Sequence, residues 1–143
     1  MKISTASISL NEARYIGPML ESIHSFADEV VIVDGSSVDK TEAVVRAWAD
    51  KYLSADVKYG ICEWQDDFAL QRNQSFKYCT GDWILRMDCD EVTSPNIRLG
   101  IKRMLSELPS TCLAVRIKQL NLYPNNEHYA ADCGGWETWP RIF

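Results

Sequence analysis

No stretch of this 143-residue sequence approaches the roughly 18 uninterrupted apolar residues of a membrane-spanning helix, and Met1-Lys2-Ile3-Ser4 has no signal-peptide pattern. The expectation is a cytoplasmic protein with no intrinsic membrane span. Cysteine is present without a framework. Cys62, Cys79, Cys89, Cys112 and Cys133 are odd in number, scattered and free of any C-x-x-C pair, so neither a disulfide scaffold nor a structural zinc site is expected. Basic residues are outnumbered, 15 Lys and Arg against 20 Asp and Glu for a net charge of −5, which argues against nucleic acid as the partner. A small anionic ligand held through a metal remains compatible with that charge. Neither glycine-rich phosphate motif occurs, G-x-x-x-x-G-K-[ST] or G-x-G-x-x-G. There are no internal repeats and no linker. With 46% hydrophobic and 24% charged residues, the length describes one globular domain able to bury a core.

What the sequence does contain is an apolar run of strand length, Trp83 to Met87, that ends in Asp88-Cys89-Asp90-Glu91. A core strand cannot bury that much unpaired charge, so the carboxylates must lie at its open end. Residues two apart share a side of an extended chain, so Asp88 and Asp90 can converge on one cation or divide it with a substrate hydroxyl. Oxygen ligands of this kind suit Mg²⁺ or Mn²⁺. A solvated acidic turn is the alternative. Cys89, between them, should point away and serve packing.

The chain around this stretch alternates strands and helices. Ile3 to Leu10 reads as a strand running into Asn11-Glu12, where Asn11 can cap a helix carrying Ile16, Met19, Leu20 and Ile23, and where the turn can also touch a ligand. Pro18 is tolerable there only near the helix start or at a local kink. Glu29 to Asp34 is a continuous β-branched strand of the type covered on both faces, followed by a small, acidic loop and a helix from Glu42 to Tyr52. Asp34, directly after a buried strand, is a candidate for holding a ribose or base edge. Val57 to Tyr59 is a short strand. A helix follows from Phe68 to Tyr78 or Cys79, with Phe68, Ala69 and Phe76 expected inward and Arg72 near the same face. Arg72 needs an anion, either Asp67 or a ligand phosphate. Beyond Glu91, Ser94-Pro95 opens a helix through Ile97, Ile101, Met104 and Leu105, and Leu113 to Leu122 alternates as a half-buried strand.

Four of these stretches together resemble the inverting GT-A glycosyltransferases of the family 2 type, in particular bacterial lipopolysaccharide-core sugar transferases. They are Ile8-Ser9-Leu10-Asn11-Glu12; Phe26 through Asp39; Trp64-Gln65-Asp66-Asp67-Phe68-Ala69 with Arg72-Asn73; and Thr80 through Leu85 leading into Asp88-Cys89-Asp90-Glu91. The resemblance implies an α/β, three-layer α/β/α GT-A fold with a mostly parallel mixed sheet and a nucleotide-sugar site at its carboxyl edge. It implies that Asp34 holds the nucleoside, that Asp67 and Arg72 flank base and diphosphate, that Asp88 lies near the ribose, and that Asp90 ligates a Mn²⁺ or Mg²⁺ ion bridging the phosphates.

The implied activity is transfer of a sugar, from a UDP-sugar as the first guess, to a saccharide or lipid-linked acceptor; the acceptor would bring the protein to the inner face of a membrane. Family members continue past a strand like Arg141-Ile142-Phe143 into a segment that supplies the general base, so the acceptor half is expected to be incomplete here. The remaining base candidates are Glu127, His128, Asp132 and Glu137, with Asp132 preferred. Two rival readings are a donor-binding module without activity and a nucleotidyltransferase. Exposed apolar residues at Ile142 and Phe143, normally covered, would favour the first and would also allow a homo-oligomer; the lack of a glycine-rich basic loop after the first strand argues against the second.

Overall fold

The computed structural model describes residues 1–117 and the backbone of Pro140–Ile142. Among the described residues ten elements follow one another, strands and helices alternating as far as β5: β1 (Ile3–Ser9), α1 (Ile16–Ile23), β2 (Glu29–Asp34), α2 (Thr41–Lys51), β3 (Asp56–Ile61), α3 (Phe68–Tyr78), β4 (Trp83–Arg86), α4 (Pro95–Ser106), β5 (Val115–Arg116) and β6 (Pro140–Ile142). The six strands form one sheet in the order β3-β2-β1-β4-β6-β5. β1 to β4 are mutually parallel, and β6 runs antiparallel to both β4 and β5.

That order fixes where the helices lie. Parallel strands joined through a helix almost always cross over right-handedly. The chain steps outward from β1 to β2 to β3, then returns past β1 to place β4 on its other side, so α3 must cover the opposite face from α1 and α2. The core obeys this. Val30 and Ile32 of β2 join Ile3, Leu85, Met87 and the inward residues of α1, α2 and α4 in one apolar cluster. Val31 and Val33, equally buried, point the other way, toward the face on which α3 packs across β1 and β2. Burying Ile16, Met19, Leu20 and Ile23 of α1 contributes roughly 1.5–3 kcal/mol per side chain, which is why α1 forms despite lacking a side-chain cap.

The amino edge of the sheet is closed by a charged knot. Glu29, with no solvent exposure, accepts from Lys2 Nζ (3.0 Å), Lys58 Nζ (2.7 Å), Ser4 Oγ (2.5 Å) and both the N–H and hydroxyl of Thr80 (2.7 and 2.6 Å). One carboxylate thus joins β1, β2, β3 and the α3–β4 loop. Gly81 belongs to the same joint, because a Cβ there would stand 2.6 Å from Ser4 Oγ and 2.7 Å from the Ser4 nitrogen.

Several local expectations need correction, whereas those for Pro18 and for Ser94-Pro95 hold. Asn11 does not cap α1, whose N-cap is Tyr15. It sits instead in left-handed backbone (φ 59°) and takes the Val38 N–H on its side-chain oxygen. Pro18 is the third residue of α1, inside the first turn where no helical N–H is lost. Phe68 and Ala69 do not face inward. The inner face of α3 is Gln71 and Ser75, whereas the first turn overhangs the strand ends and has no sheet beneath it, leaving Phe68 exposed with its ring edge-on to Trp64. β3 is longer than expected, and of the expected strand from Leu113 only Val115–Arg116 is regular among the described residues; Leu113 is exposed. Ser94 accepts from the Ile97 N–H and caps α4, with Pro95 next. The expectations for residues beyond Ile117, including the general-base candidates and the self-association of Ile142 and Phe143, fall outside the described side chains.

Candidate functional site

In an open parallel sheet the strand order reverses at one point, and the loops leaving the carboxyl ends there diverge to open a crevice. Here that point lies between β1 and β4. A cleft of about 530 Å³ occupies it, lined by Ile8 and Glu12 after β1, Phe68, Ala69 and Arg72 of α3, and Arg86, Asp88, Cys89 and Asp90 at the end of β4.

The loops that rim the cleft are stitched to one another. Asn11 N–H donates to Ser37 Oγ (2.7 Å), Glu12 N–H to Thr41 Oγ1 (2.9 Å) and Ala13 N–H to Asp39 Oδ2 (3.0 Å), so the β1–α1 loop is held by the β2–α2 loop. Ser36 in the second loop and Asp66 in the β3–α3 loop also adopt left-handed backbone, at φ 74° and 55°. Asp66 there receives the Trp64 indole N–H at 2.8 Å, which fixes the ring against which Phe68 stands.

Charges of both signs line the cleft. Arg72 bonds Asp88 Oδ1 directly through Nη2, while its Nη1 donates to the carbonyl of Ala6 at 3.3 Å. Arg86 approaches Asp88 Oδ2 at 3.8 Å. Glu12 and Asp90 line the same cleft. Burial raises the Glu12 carboxyl above its usual range, and the nearby negative charges of Asp90 and Asp39 raise it further. The turn after β4 is tied by the Asp88 N–H to Glu91 Oε2 (2.8 Å) and the Glu91 N–H to the Asp88 carbonyl (3.1 Å).

The expected site residues therefore separate. Glu12, Arg72, Asp88 and Asp90 come together in the cleft; Asn11 braces its rim. The acid that pairs with Arg72 is Asp88, not Asp67, because Asp67 accepts the Leu70 N–H at 2.9 Å as the cap of α3. Asp34 is buried away from the cleft. Burial alone would raise its carboxyl, but the Ser37 N–H and hydroxyl, the Ser9 hydroxyl and the Tyr59 phenol hold it below the usual range. Cys89 is buried, donates to the Ile8 carbonyl at 3.2 Å, and has its thiol pushed up to about 12, chiefly by that burial. The strand ends at Arg86 and the chain turns at Cys89 and Asp90, so the period of two expected to align Asp88 with Asp90 does not extend to Asp90; Arg86, two residues before Asp88, went unnoticed in the sequence.

Among the described residues no three His, Cys, Asp or Glu side chains gather closely enough to hold an ion by themselves. The donor set nevertheless fits a hard divalent cation shared with a substrate. Glu12 and Asp90 crowd negative charge at one spot, and such ions keep several positions for water and phosphate.

The profile for Glycosyl transferase family 2 matches residues 4–142, nearly the whole chain. The chain belongs to glycosyl transferase family 2. Like other family 2 proteins it has curated relatives: it is 32% identical over 143 residues to an uncharacterized glycosyltransferase of Rickettsia bellii, covering 99% of this chain and 42% of that protein. This family 2 chain thus spans about two fifths of that relative's length. Among solved structures it resembles S. aureus TarS in complex with UDP-GlcNAc, at 25% identity and a TM-score of 0.66 over 75% of this chain and 32% of that one. It also resembles the mannosyltransferase PcManGT of Pyrobaculum calidifontis in complex with GDP-Man and Mn²⁺. There the TM-score is 0.66 at 23% identity, over 76% of this chain and 33% of that one. The fold of this family 2 member is the GT-A fold of those neighbours.

Proposed function

We propose that this chain carries the donor site of an inverting glycosyltransferase, which transfers a sugar from a nucleotide-sugar to a saccharide or lipid-linked acceptor on the cytoplasmic side of a membrane. The observation that carries the reading is the mixed charge of the cleft at the β1/β4 switch point. Two guanidiniums approach Asp88, and Glu12 and Asp90, close to each other, line the same cleft. A nucleoside diphosphate is a ligand whose charge such a lining can accept, its oxygens meeting Arg72 directly and Asp90 through a divalent ion.

In this reading Asp90, with Glu12 beside it, would hold Mn²⁺ or Mg²⁺, which when bound would supply positive charge to the departing diphosphate. Asp88, already engaged by Arg72 and Arg86, serves the ribose hydroxyls and the placement of the guanidiniums. Asp67 starts α3 so that Arg72 faces the cleft. Asp34 fixes Ser37 and with it the rim, and reaches a nucleoside only by releasing that bond. The base required by inversion is assigned to Asp132 from the sequence. A UDP-sugar is the first donor to test, since TarS, 25% identical, is found with UDP-GlcNAc. Among the described residues no helix is long and apolar enough to cross a membrane, so a lipid-linked acceptor would be met at the surface.

Calorimetric titration of UDP, GDP, CDP and ADP with and without Mn²⁺, against the wild type and Asp90→Ala, tests this. One nucleotide should bind in a Mn²⁺-dependent manner and lose about tenfold or more in affinity in Asp90→Ala, the worth of a charge-assisted contact. A folded wild type that binds none of them refutes the donor site.

A further inference from the structure

We propose that Arg86 is a second guanidinium for the donor's diphosphate, acting beside Arg72 without the metal as intermediary. The inference rests on the donor-site reading above and adds to it a residue that the sequence motifs do not include.

Arg86 is the last residue of β4, in register with Ala6 of β1, and its side chain runs up the face covered by α3 toward Asp88. The two arginines around Asp88 are held differently. Arg72 is anchored by its direct bond to Asp88 Oδ1 and by the Ala6 carbonyl. Among the described residues Arg86 has a single long ion pair, Nη2 to Asp88 Oδ2 at 3.8 Å, and its buried Nε meets no acceptor. A buried donor without a partner is costly, and that cost falls here on a cleft-lining cation.

Charge and solvent point the same way. Arg72 and Arg86 are the cations among the cleft's lining residues, beside the acids Glu12, Asp88 and Asp90, so an anion's oxygens meet positive charge at these two side chains. The Arg86 side chain is only 28% exposed, so an arriving anion displaces little further water from it. A guanidinium fork matches a phosphate oxygen pair, and a diphosphate, unlike an uncharged base, carries the charge that such a fork favours. Rotation of the Arg86 head from its long contact with Asp88 to a phosphate oxygen trades a weak ion pair for a charge-assisted hydrogen bond.

The test compares the wild type, Arg86→Gln and Arg86→Lys for binding of UDP and GDP, each beside its parent nucleoside, uridine or guanosine. Arg86→Gln should weaken the preferred diphosphate by about ten- to a hundredfold, as expected for a charge-assisted hydrogen bond, and leave its nucleoside unchanged. Arg86→Lys, which keeps the charge but loses the fork, should recover part of the loss. An equal loss for diphosphate and nucleoside would make Arg86 a base contact or a structural residue, and no loss would make it a bystander; either overturns the inference. If circular dichroism shows that Arg86→Gln does not fold, the ratio of diphosphate to nucleoside affinity in Arg86→Lys decides between the same outcomes. A wild type that binds no nucleotide refutes the donor site itself. A wild type that binds, with an Arg86→Gln that binds equally well, refutes the role of Arg86 alone.

Discussion

Replacing Glu29 with Gln should destabilise the protein more than any change in the cleft, although Glu29 lies at the opposite edge of the sheet. The carboxylate is fully buried and receives Ser4 Oγ, the Thr80 N–H, the Thr80 hydroxyl and two lysine ammoniums. Removing one partner of a buried ion pair typically costs about 3–5 kcal/mol. Both lysines are a third or more exposed and can turn to water, so the upper part of that range is discounted to about 2–3 kcal/mol. Urea unfolding at pH 7 should show this as a lower midpoint at unchanged slope, since the surface exposed on unfolding is the same.

The pH dependence provides the sharper check. Burial by itself would raise the Glu29 carboxyl, but the bonds from Lys58, Ser4 and Thr80 outweigh it and hold the group well below the usual carboxylate range. A depressed folded-state pKa stabilises fully above the unfolded value, near 4.3 for glutamate, and is lost as pH falls from there toward the folded value. The gap between wild type and Glu29→Gln should therefore be widest at neutral pH and shrink below about pH 4. A Glu29→Gln protein within about 0.5 kcal/mol of wild type at pH 7, or a gap independent of pH, would refute the reasoning.

Two further substitutions probe the rim. Ser36 is exposed in left-handed backbone, so Ser36→Gly should remove a conformational cost and raise stability by up to about 1 kcal/mol, read as a higher melting temperature. Glu12→Gln should stabilise the apo protein at pH 7 and lose that advantage as pH falls through the raised Glu12 titration, because a carboxyl with an elevated folded pKa weighs against folding once it ionises; thermal melts across pH 4 to 7 follow it, and a destabilised Glu12→Gln at pH 7 would show that the burial and crowding by Asp90 and Asp39 do not govern this group.

Much of the parallel half of the sheet was legible because parallel strands buried on both faces write themselves as β-branched runs, as in Val30 to Val33, and because a strand that runs into Asp88-Cys89-Asp90 cannot continue in the interior. The helix α3 was legible in extent but not in orientation. Phe68 and Ala69 obeyed helical spacing, yet spacing states only that residues share a face, not that a sheet lies beneath the first turn. Asn11 was misread for a related reason. An asparagine before a helix has two uses, capping or left-handed turning, and only the position of Val38, 27 residues away, selects the second. Arg86 was missed because an arginine at the end of an apolar strand looks like a solvated terminus until the partner of Arg72 is known.

Each end of the sheet is fastened by one buried carboxylate. At the amino end Glu29 pins three strands and a loop, and at the carboxyl end Asp34 gathers the Ser37 amide, the Ser37 hydroxyl and the Ser9 hydroxyl. The crevice therefore opens between loops that are clamped before any ligand arrives, and a guest that enters it need not bear the cost of ordering them.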